Sequence, residues 1–429
     1  MKDILLEKVF EAERWEAAIN KGFFKGIDKG ELRQLCGPET RVRLAMAILE
    51  DNYEIAPPHQ ALIPKDNGEF RTVYVNENID RIFLSIVNDL LFELCSDMIH
   101  PACKSYQKGI GCGKVVQEIS RKLKPNPYQN PNGILGFKAD LSKYFDSVPI
   151  EFIDDAFDQV ERKIGKSKVI TVLRKYYHTD LCFDPDGNLI EHYQSLKQGC
   201  AVASFLADVM LFHIDFELYK YSFMNMASMY TRYSDDILYI GSGYEKAMGF
   251  LEKELQKMSM KLNPKKVEYL THDKWFKFLG FMIKDDQITL SHNRIKGFQK
   301  EIEKRSIKNR HATGKSALNS INRYLYKGDG TYSWATQVLP IINVEKDIDT
   351  LNEFVMDCIR ACQTGKRNIG GLGTVTNRKD CTILRGTGKN VSANRKNTEK
   401  EIEGYYSIRC MQKALNICRP VYDTIVREM

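Results

Sequence analysis

The sequence predicts an α+β fold, in which an antiparallel sheet is combined with helices and followed by a mainly helical C-terminal third. Short segments rich in β-branched and aromatic residues mix with amphipathic helical segments, without the regular strand–helix alternation of a parallel sheet. Beyond residue 291 the apolar spacing becomes mainly helical. With 429 residues, of which 43% are hydrophobic and 28% charged, the chain has the material for several globular domains.

The N-terminal elements follow from the apolar periodicity and from the residues that interrupt it. Gly37-Pro38 breaks the first helical region and Pro57-Pro58 ends it, whereas a turn at 64–69 separates two alternating segments, which is typical of a β-hairpin. In chain order we predict helices over 1–58, a hairpin over 61–75, a helix over 79–95, a loop over 124–133 and a buried strand over 134–139 that runs into Asp140.

The remaining elements are assigned by the same criteria. Asp184-Pro185-Asp186-Gly187 marks a second hairpin. Helices are predicted over 150–164, 167–178, 201–221 and 244–260, and strands near 228–233, 237–241, 265–270 and 275–290. We therefore predict an N-terminal helical extension, a central α+β domain and a helical C-terminal domain, over residues 1–60, 61–290 and 291–429.

Neither a membrane segment nor a secretory leader is indicated. No apolar run approaches the roughly 18 residues that a membrane span needs, and the N-terminus begins as a charged amphipathic helix. The eleven cysteines are scattered and form no Cys-x-x-Cys pair, a usage typical of reduced thiols. We expect a cytoplasmic protein with no membrane partner.

The net charge of +7 is unevenly distributed. Residues 291–310 contain seven cationic and two acidic residues, and residues 366–400 contain nine cationic and two acidic ones, so these stretches carry +5 and +7. The rest of the chain therefore carries about −5. Such a distribution indicates that a polyanion binds the C-terminal third, although solvated charge on exposed helices is the alternative.

Two adjacent acids are the strongest functional feature of the chain. Asp235 and Asp236 follow Tyr233-Ser234 and are flanked by β-forming residues, so they are expected at the tip of a hairpin. Carboxylates are the oxygen ligands that Mg²⁺ prefers, and a few of them can hold two ions about 4 Å apart for phosphoryl transfer. Without a third acid, the pair could equally be a solvated surface turn.

Asp140 is the candidate for the third acid, because it ends a buried strand where an unpaired charge would be costly. If this strand lies beside the Asp235-Asp236 hairpin, the three carboxylates converge and repel one another unless cations are present. Phe145, five residues further on, could form the floor of a nucleotide pocket and exclude a sugar 2′-hydroxyl. Simple core packing is the alternative for this ring.

The segments around these acids resemble motifs of reverse transcriptases. Phe137-Lys138-Ala139-Asp140 through Phe145-Asp146-Ser147-Val148-Pro149 is similar to their first palm motif, and Arg232-Tyr233-Ser234-Asp235-Asp236 is similar to their Tyr-x-Asp-Asp motif. Five further segments match other motifs of the family, and all seven motifs stand in the family's order along the chain. These five are Ile63-Pro64-Lys65 with Gly68-Glu69-Phe70-Arg71, Ser105–Gly113, Leu196-Lys197-Gln198-Gly199, Leu262-Asn263-Pro264-Lys265-Lys266 and Phe278-Leu279-Gly280-Phe281. The resemblance covers about residues 60–285 and implies a right-hand polymerase, with fingers and an antiparallel palm sheet followed by a helical thumb.

The resemblance implies two-metal nucleotidyl transfer by an RNA-directed DNA polymerase. Two Mg²⁺ ions, or Mn²⁺ as a substitute, would be bound by Asp140, Asp235 and Asp236 together with Leu141, which is also assigned to the nucleotide. The remaining assignments are dNTP binding by Lys65, Arg71, Phe145 and Gln198, and protonation of the pyrophosphate by Lys266. In the basic stretches, template–primer or structured RNA would be bound by Lys296, Lys300, Lys304, Arg305, Lys366 and Arg367.

The chain also departs from the family pattern near the nucleotide and template positions. Lys197 replaces the proline that usually precedes Gln198, and the Ser-Pro-x-Ser-Pro continuation, which usually reaches an asparagine, here runs from Cys200 to Asp208. The arginines common in the second fingers motif are absent, with Lys108 as the nearest substitute. These departures, and the lack of a maturase-type tail, favour the bacterial unknown-group or defence-associated enzymes, possibly of type 2, whose members copy a neighbouring non-coding RNA.

Several alternatives remain open from the sequence. An RNA-synthesising palm polymerase is expected to have a small or polar residue in place of Phe145. Template-independent or protein-primed DNA synthesis, as in abortive-infection enzymes, is compatible with the altered segment after Gln198. A mobile-element enzyme of the group II intron or retron type, and a scaffold that binds RNA without catalysis, are the other two.

Overall fold

A computed structural model describes residues 3–21, 27–65, 68–123, 132–223, 228–309, 312–326, 333–363 and 404–417. The helices are α1 (Ile4–Val9), α2 (Ala12–Lys21), α3 (Lys29–Leu35), α4 (Pro38–Leu49), α5 (Asn78–Leu94), α6 (Cys112–Leu123), α7 (Tyr144–Ser147), α8 (Ile150–Ile164), α9 (Lys168–His178), α10 (Val202–Val209), α11 (Phe212–Phe223), α12 (Tyr244–Lys257), α13 (His292–Arg305), α14 (Gly314–Tyr326), α15 (Trp334–Val338), α16 (Glu345–Gln363) and α17 (Ile408–Ile417).

The strands are short and belong to three sheets. They are β1 (His59–Pro64), β2 (Phe70–Val75), β3 (Ile134–Asp140), β4 (Leu181–Phe183), β5 (Leu189–Glu191), β6 (Met229–Tyr233), β7 (Asp236–Ile240), β8 (Glu268–Thr271), β9 (Phe276–Phe278), β10 (Phe281–Lys284) and β11 (Gln287–Leu290). The chain divides into one unit of residues 1–110 and 128–271 and a second of residues 111–127 and 272–429.

The central sheet of the first unit has the strand order β6-β7-β3-β8, and every neighbouring pair is antiparallel. Buried residues of β3 and β7 contribute to one large core, in which the rings of Phe137 and Tyr239 stack with centroids 5.7 Å apart. Helices α11 and α12 pack on these strands. The sheet therefore holds the end of β3 and the β6–β7 turn on a rigid support.

A second sheet of this unit has the order β2-β1-β4-β5. β1 and β2 form the predicted antiparallel hairpin, and β4 joins β1 in parallel through the pair His59 and Phe183. β4 and β5 form the second predicted hairpin, in which Gly187 has the positive φ that its turn requires.

The N-terminal helices start at residues that satisfy or replace their free amide groups. Asp28 caps α3 with a capping box that involves Glu31, and Pro38 occupies the first turn of α4, where its missing N–H is tolerated. Helices α1 and α2 pack against the long helix α5. The predicted helical region before residue 58 is confirmed as four separate helices.

The second unit combines the antiparallel sheet β11-β10-β9 with helices. Helix α6 contacts β10 and β11, and α14 and α16 pack against each other, with α13 and α17 packed beside them. The ring centroids of Phe298 and Trp334 lie 4.5 Å apart inside this helical group. No helix within the described residues is long and apolar enough to cross a membrane.

The α+β class is confirmed, and most predicted elements lie within a few residues of the observed ones. One helix over 201–221 is wrong, because the chain forms α10 and α11 with a turn at 210–211. The carbonyl groups of Ala207 and Asp208 accept hydrogen bonds from the side chains of Tyr144 and Arg232 at this break. No glycine or proline in the sequence marks it, so tertiary hydrogen bonding determines where the helix ends.

Helix α6 was not predicted, although a signal for it is present. Val115, Ile119 and Leu123 recur every fourth residue and are buried. The predicted loop at 124–133 lies mostly outside the described residues.

Candidate active site

The three predicted acids lie together at one end of the central sheet. Asp140 is the last residue of β3 and pairs in register with Asp236, the first residue of β7. Asp235 lies in the two-residue turn between β6 and β7, and its carbonyl oxygen accepts a 3.1 Å hydrogen bond from the amide of Leu141. Antiparallel pairing thus brings together acids that are almost 100 positions apart in the sequence.

The electrostatic environment of these acids is unfavourable without cations. Asp140 is only 5% exposed, and burial raises its pKa, with a further increase from the charge of Asp235 that a hydrogen bond from Lys266 opposes. Burial, followed by the charges of Asp235 and Asp140, raises the pKa of Asp236 to about 7. The site therefore gains stability from positive charge placed among the carboxylates.

Lys266 supplies one positive charge. Its Nζ donates a 2.5 Å hydrogen bond to Oδ2 of Asp140. The turn that carries the lysine is fixed to β3, because the amide of Asn263 donates to the carbonyl of Asp140 and the amide of Lys266 donates to the carbonyl of Asn263. Burial lowers the pKa of Lys266, but the hydrogen bond to Asp140 and the charges of the three acids outweigh it and raise the value.

The donor set fits a hard divalent cation, since it consists of carboxylate oxygens whose mutual repulsion a metal would relieve. Across the described ranges, no group of three or more His, Cys, Asp and Glu side chains is already arranged to hold a metal ion. The side chain of Leu141 is buried, so any contact of this residue with a metal or nucleotide falls to its main-chain carbonyl.

Main-chain hydrogen bonds connect the segments that carry Phe145 and Gln198. Phe145 lies in the short helix α7, is partly buried against the core, and accepts a 3.2 Å hydrogen bond at its carbonyl from the amide of Leu196. The carbonyl of Gln198 accepts a 2.7 Å bond from the amide of Tyr74 on β2. These two bonds link the candidate nucleotide floor, the Gln-Gly segment and the β1–β2 hairpin.

Lys65 and Arg71 lie at the tip of that hairpin, next to the ends of β1 and β2. Both interact electrostatically with Asp146, the neighbour of Phe145. Tyr106 interacts electrostatically with Arg71 and also with Asp235. The predicted triphosphate-binding cations therefore lie on the same side of the first unit as the carboxylates.

The departures around Gln198 have a structural explanation. Lys197 is buried, and its Nζ donates to the carbonyl of Thr179 at 2.7 Å and to Oε1 of Gln194 at 3.0 Å. Burial lowers the pKa of Lys197 to about 8. Gly199 has a φ of +112°, and a Cβ there would lie 2.8 Å from the carbonyl oxygen of Tyr74. Lys197 is a buried support of this segment and not a surface cation for nucleic acid.

The predicted nucleic-acid residues of the second unit differ from one another. Lys296, Lys300 and Lys304 are exposed at helical spacing on α13, opposite the buried Phe298 and Ile302. The side chain of Arg305, also on α13, donates to Glu301 at 2.6 Å and lies 4.8 Å from the centre of the Tyr324 ring. Lys366 and Arg367 lie outside the described residues.

A buried polar group beneath the Asp235-Asp236 turn was not predicted. It consists of Ser105, Asp208, Asp215 and Arg232, which are all essentially inaccessible to solvent. Ser105 and Arg232 stand in two of the motifs that resemble those of reverse transcriptases, and Asp208 ends the altered segment after Gln198, but these motifs predict no support of the turn. A charged residue inside a strand, as Arg232 is, was the available signal.

Comparison with known proteins gives one family match. The family described as "Reverse transcriptase (RNA-dependent DNA polymerase)" matches residues 63–283, slightly more than half of the chain. No curated protein matches the chain.

Similar folds among solved structures include telomerases of Candida tropicalis. An apo telomerase truncated from its C-terminal domain is 16% identical with a TM-score of 0.41, and the match covers 58% of this chain and 59% of that one, so the chain spans less than two thirds of its length. A telomerase in complex with a fragment of telomeric RNA is 13% identical with a TM-score of 0.47, over 94% of this chain and 68% of that one.

Proposed function

Since the chain belongs to the reverse transcriptase family of RNA-dependent DNA polymerases, we propose that it extends a DNA strand on an RNA template with Asp140, Asp235 and Asp236 as its catalytic acids. The observation that carries this proposal is the convergence of the three carboxylates at the end of β3 and the β6–β7 turn, with Lys266 bonded to Asp140. The right-hand arrangement of fingers and palm follows from the family match.

Reverse transcriptases generally use divalent metal ions. The carboxylates of Asp140, Asp235 and Asp236 and the main-chain carbonyl of Leu141 would hold two Mg²⁺ or Mn²⁺ ions, which supply Lewis-acid activation of the primer 3′-hydroxyl and charge stabilisation at the phosphate. In the chain itself, Lys65 and Arg71 bind the triphosphate, and Gln198 contacts the nucleotide sugar.

Lys266 acts as the proton donor in this proposal. Its raised pKa keeps the ammonium group protonated at neutral pH, so a proton is available at Nζ for the leaving pyrophosphate. The hydrogen bond to Asp140 holds this proton beside the reacting phosphate. Lys266→Gln is expected to lower kcat about 10²-fold or more, the usual contribution of a general acid, with a smaller effect on KM for dNTP.

The direct test is DNA synthesis on an RNA template by purified Asp235→Asn and Asp140→Asn variants. Each substitution removes a charge from a shared site, so we expect activity to fall by several orders of magnitude. Asp155→Asn, which changes an exposed aspartate of α8, serves as the control and should keep normal activity. Near-normal synthesis by Asp235→Asn would falsify the assignment and favour a scaffold that binds RNA without catalysis.

Sugar selection tests the role of Phe145. The partly buried ring, fixed by its place in α7, would clash with a 2′-hydroxyl, so the enzyme should incorporate dNTPs and reject rNTPs. Phe145→Ala should relax this preference by increasing rNTP incorporation more than it decreases dNTP incorporation. If the unmodified protein prefers rNTPs, it is an RNA-synthesising palm polymerase.

We propose that RNA binds the exposed lysine face of α13. Replacing Lys296, Lys300 and Lys304 together with glutamine should weaken RNA binding and reduce the slope of log K against log salt by about 2 to 3, since each phosphate contact contributes about 0.7 to 0.9. Lys246→Gln with Lys253→Gln, which removes two charges from the exposed face of α12, is the control and should leave the slope unchanged. An unchanged slope in the triple variant would exclude this face.

We further propose a bacterial antiphage enzyme that copies a structured non-coding RNA, on the basis of the altered segment after Gln198. Sequencing the RNA and DNA that copurify with the protein tests this: a DNA complementary to one abundant small RNA is expected. DNA without a complementary RNA would favour template-independent synthesis, DNA covalently attached to the protein would favour protein priming, and DNA copied from intron or retron RNA would favour a mobile element.

A further inference from the structure

Both main-chain polar groups of Ser234, the residue before Asp235, are held by side chains from elsewhere in the fold. Ser234 is buried and has a φ of +57°, the left-handed region that a non-glycine residue occupies only when its surroundings impose it. Its amide donates a 2.9 Å hydrogen bond to Oγ of Ser105. Its carbonyl accepts a 3.1 Å bond from Nη1 of Arg232.

Arg232 uses all five of its N–H groups inside the protein. Nε and Nη2 donate to the two oxygens of Asp215 at 2.8 and 2.7 Å. The other three donors bond the carbonyl oxygens of Ala207, Asp208 and Ser234 at 3.3, 2.9 and 3.1 Å. The guanidinium is fully buried and has no further donor, so its position is fixed on every side.

Ser105 and Asp208 close the arrangement into a ring. Oγ of Ser105 donates a 2.5 Å bond to Oδ1 of Asp208, which leaves its lone pairs to accept the Ser234 amide. Oδ1 of Asp208 lies 3.8 Å from Nη1 of Arg232. The segment that leads into Ser105 is anchored to β6. The amide of Lys104 donates to the carbonyl of Arg232, and the amide of Arg232 donates to the carbonyl of Ala102.

We propose that Ser105, Asp208, Asp215 and Arg232 form a clamp whose function is to position Asp235 and Asp236 for metal binding. The four residues are positioning residues, since none belongs to the reacting set. A displaced Ser234 would move Asp235, which follows it directly. This inference rests on the proposed polymerase function, in which Asp235 and Asp236 bind the metal ions.

The clamp explains why this chain has Asp208 where the family motif usually reaches an asparagine. A carboxylate only accepts hydrogen bonds, so it forces Ser105 to be the donor and fixes the direction of the bond to Ser234. Its negative charge also faces the guanidinium of Arg232. An asparagine could orient its amide either way and would supply no charge.

Ser105→Ala is the sharpest test, because it removes one arm of the clamp and adds no bulk. Three readouts are needed: Mn²⁺ affinity from electron paramagnetic resonance, kcat and KM for dNTP, and hydrogen exchange in the 228–240 peptide. We expect about tenfold weaker Mn²⁺ binding and about tenfold lower kcat, the loss that corresponds to the hydrogen bond between Ser105 and the Ser234 amide, with KM within twofold. Exchange in that peptide should become faster.

Arg232→Lys should have a larger effect, since lysine keeps the charge but offers three donors in place of five. Ser222→Ala is the control: this serine is also buried, and its hydroxyl bonds the carbonyl of Tyr219 within α11. Asp208→Asn should fall between wild type and Ser105→Ala, because it keeps an acceptor for Ser105.

The clamp is overturned if Ser105→Ala and Arg232→Lys, both folded by circular dichroism, bind Mn²⁺ with wild-type affinity. This outcome does not depend on polymerase activity. Failure of the proposed function has a different signature: wild-type protein without DNA synthesis, and Asp235→Asn that binds Mn²⁺ as tightly as wild type. Weaker Mn²⁺ binding in Ser105→Ala and in Asp235→Asn, but not in Ser222→Ala, supports the clamp whether or not the wild-type protein synthesises DNA.

Discussion

The stability of the metal-free protein should depend on pH through Asp236. Burial and the charges of Asp235 and Asp140 raise the pKa of this carboxyl from 3.8 to about 7. In the unfolded chain it ionises near 3.8, so between these values the unfolded state releases the proton while the folded state keeps it. The contribution to folding stability is therefore fully present below pH 3.8 and is lost as pH rises to about 7.

The magnitude follows from the two pKa values. At about 1.4 kcal/mol for each pKa unit, the whole loss is roughly 4 kcal/mol, and the part between pH 5 and pH 8 is about 2.5 kcal/mol. Asp236→Asn replaces the carboxyl by an amide of the same shape that cannot ionise. It should remove this part of the pH dependence and make the protein more stable than wild type at pH 8.

The assay is urea unfolding in EDTA at pH 5, 6, 7 and 8, for wild type, Asp236→Asn and the exposed-site control Asp155→Asn. The free energy of unfolding should fall with pH in wild type and in the control. It should fall less in Asp236→Asn, by about 2.5 kcal/mol over this range, and the remaining fall comes from other buried carboxyls such as Asp208, whose pKa burial raises to about 6. Added Mg²⁺ should restore stability at pH 8 in wild type and in Asp155→Asn, but not in Asp236→Asn. If wild type and Asp236→Asn lose stability with the same slope, the three carboxylates do not interact as the structure indicates.

Three further predictions concern backbone fit and a buried lysine. Gly136→Ala in β3 should destabilise the protein by about 3 kcal/mol or more, because the new Cβ would lie 2.0 Å from a carbonyl oxygen of β7. Gly249→Ala, on the open face of α12, should instead stabilise the protein by about 0.5–1 kcal/mol. Urea unfolding measures both changes. Gly199→Ala should raise KM for dNTP several-fold in steady-state assays, since strain against Tyr74 displaces the neighbouring Gln198, the proposed contact of the nucleotide sugar. Between pH 8 and 10 wild-type stability should rise, because the pKa of Lys197 is about 8 in the folded protein and about 10.5 unfolded; Lys197→Met should lack this rise in pH-dependent unfolding.

Local sequence signals were sufficient for the elements that carry the acids. Strand β3 could be recognised from its apolar run, and the β1–β2 hairpin from alternation around a turn. Period and turn chemistry depend on neighbouring residues, which is why such elements can be predicted without the fold. The break between α10 and α11 could not, because it depends on hydrogen bonds from Tyr144 and Arg232, both distant in sequence.

The same distinction applies to the candidate site. The order and spacing of the motifs identified Asp140, Asp235 and Asp236, together with Lys266, as the residues to examine, because each motif is a short local pattern. Only the tertiary structure decided that Asp140 pairs with Asp236, that Lys266 bonds Asp140, and that Lys197 points into the protein.

Arg232 shows the limit most clearly. In the sequence it is a cation at the start of a motif, and its charge favours solvent or nucleic acid. In the structure it is fully buried, and its partners come from α10, α11 and the turn that it supports. Sequence by itself determined which acids this protein presents. Tertiary contacts between distant segments decided how those acids are held, because a hydrogen bond depends on distance and direction that no local pattern encodes.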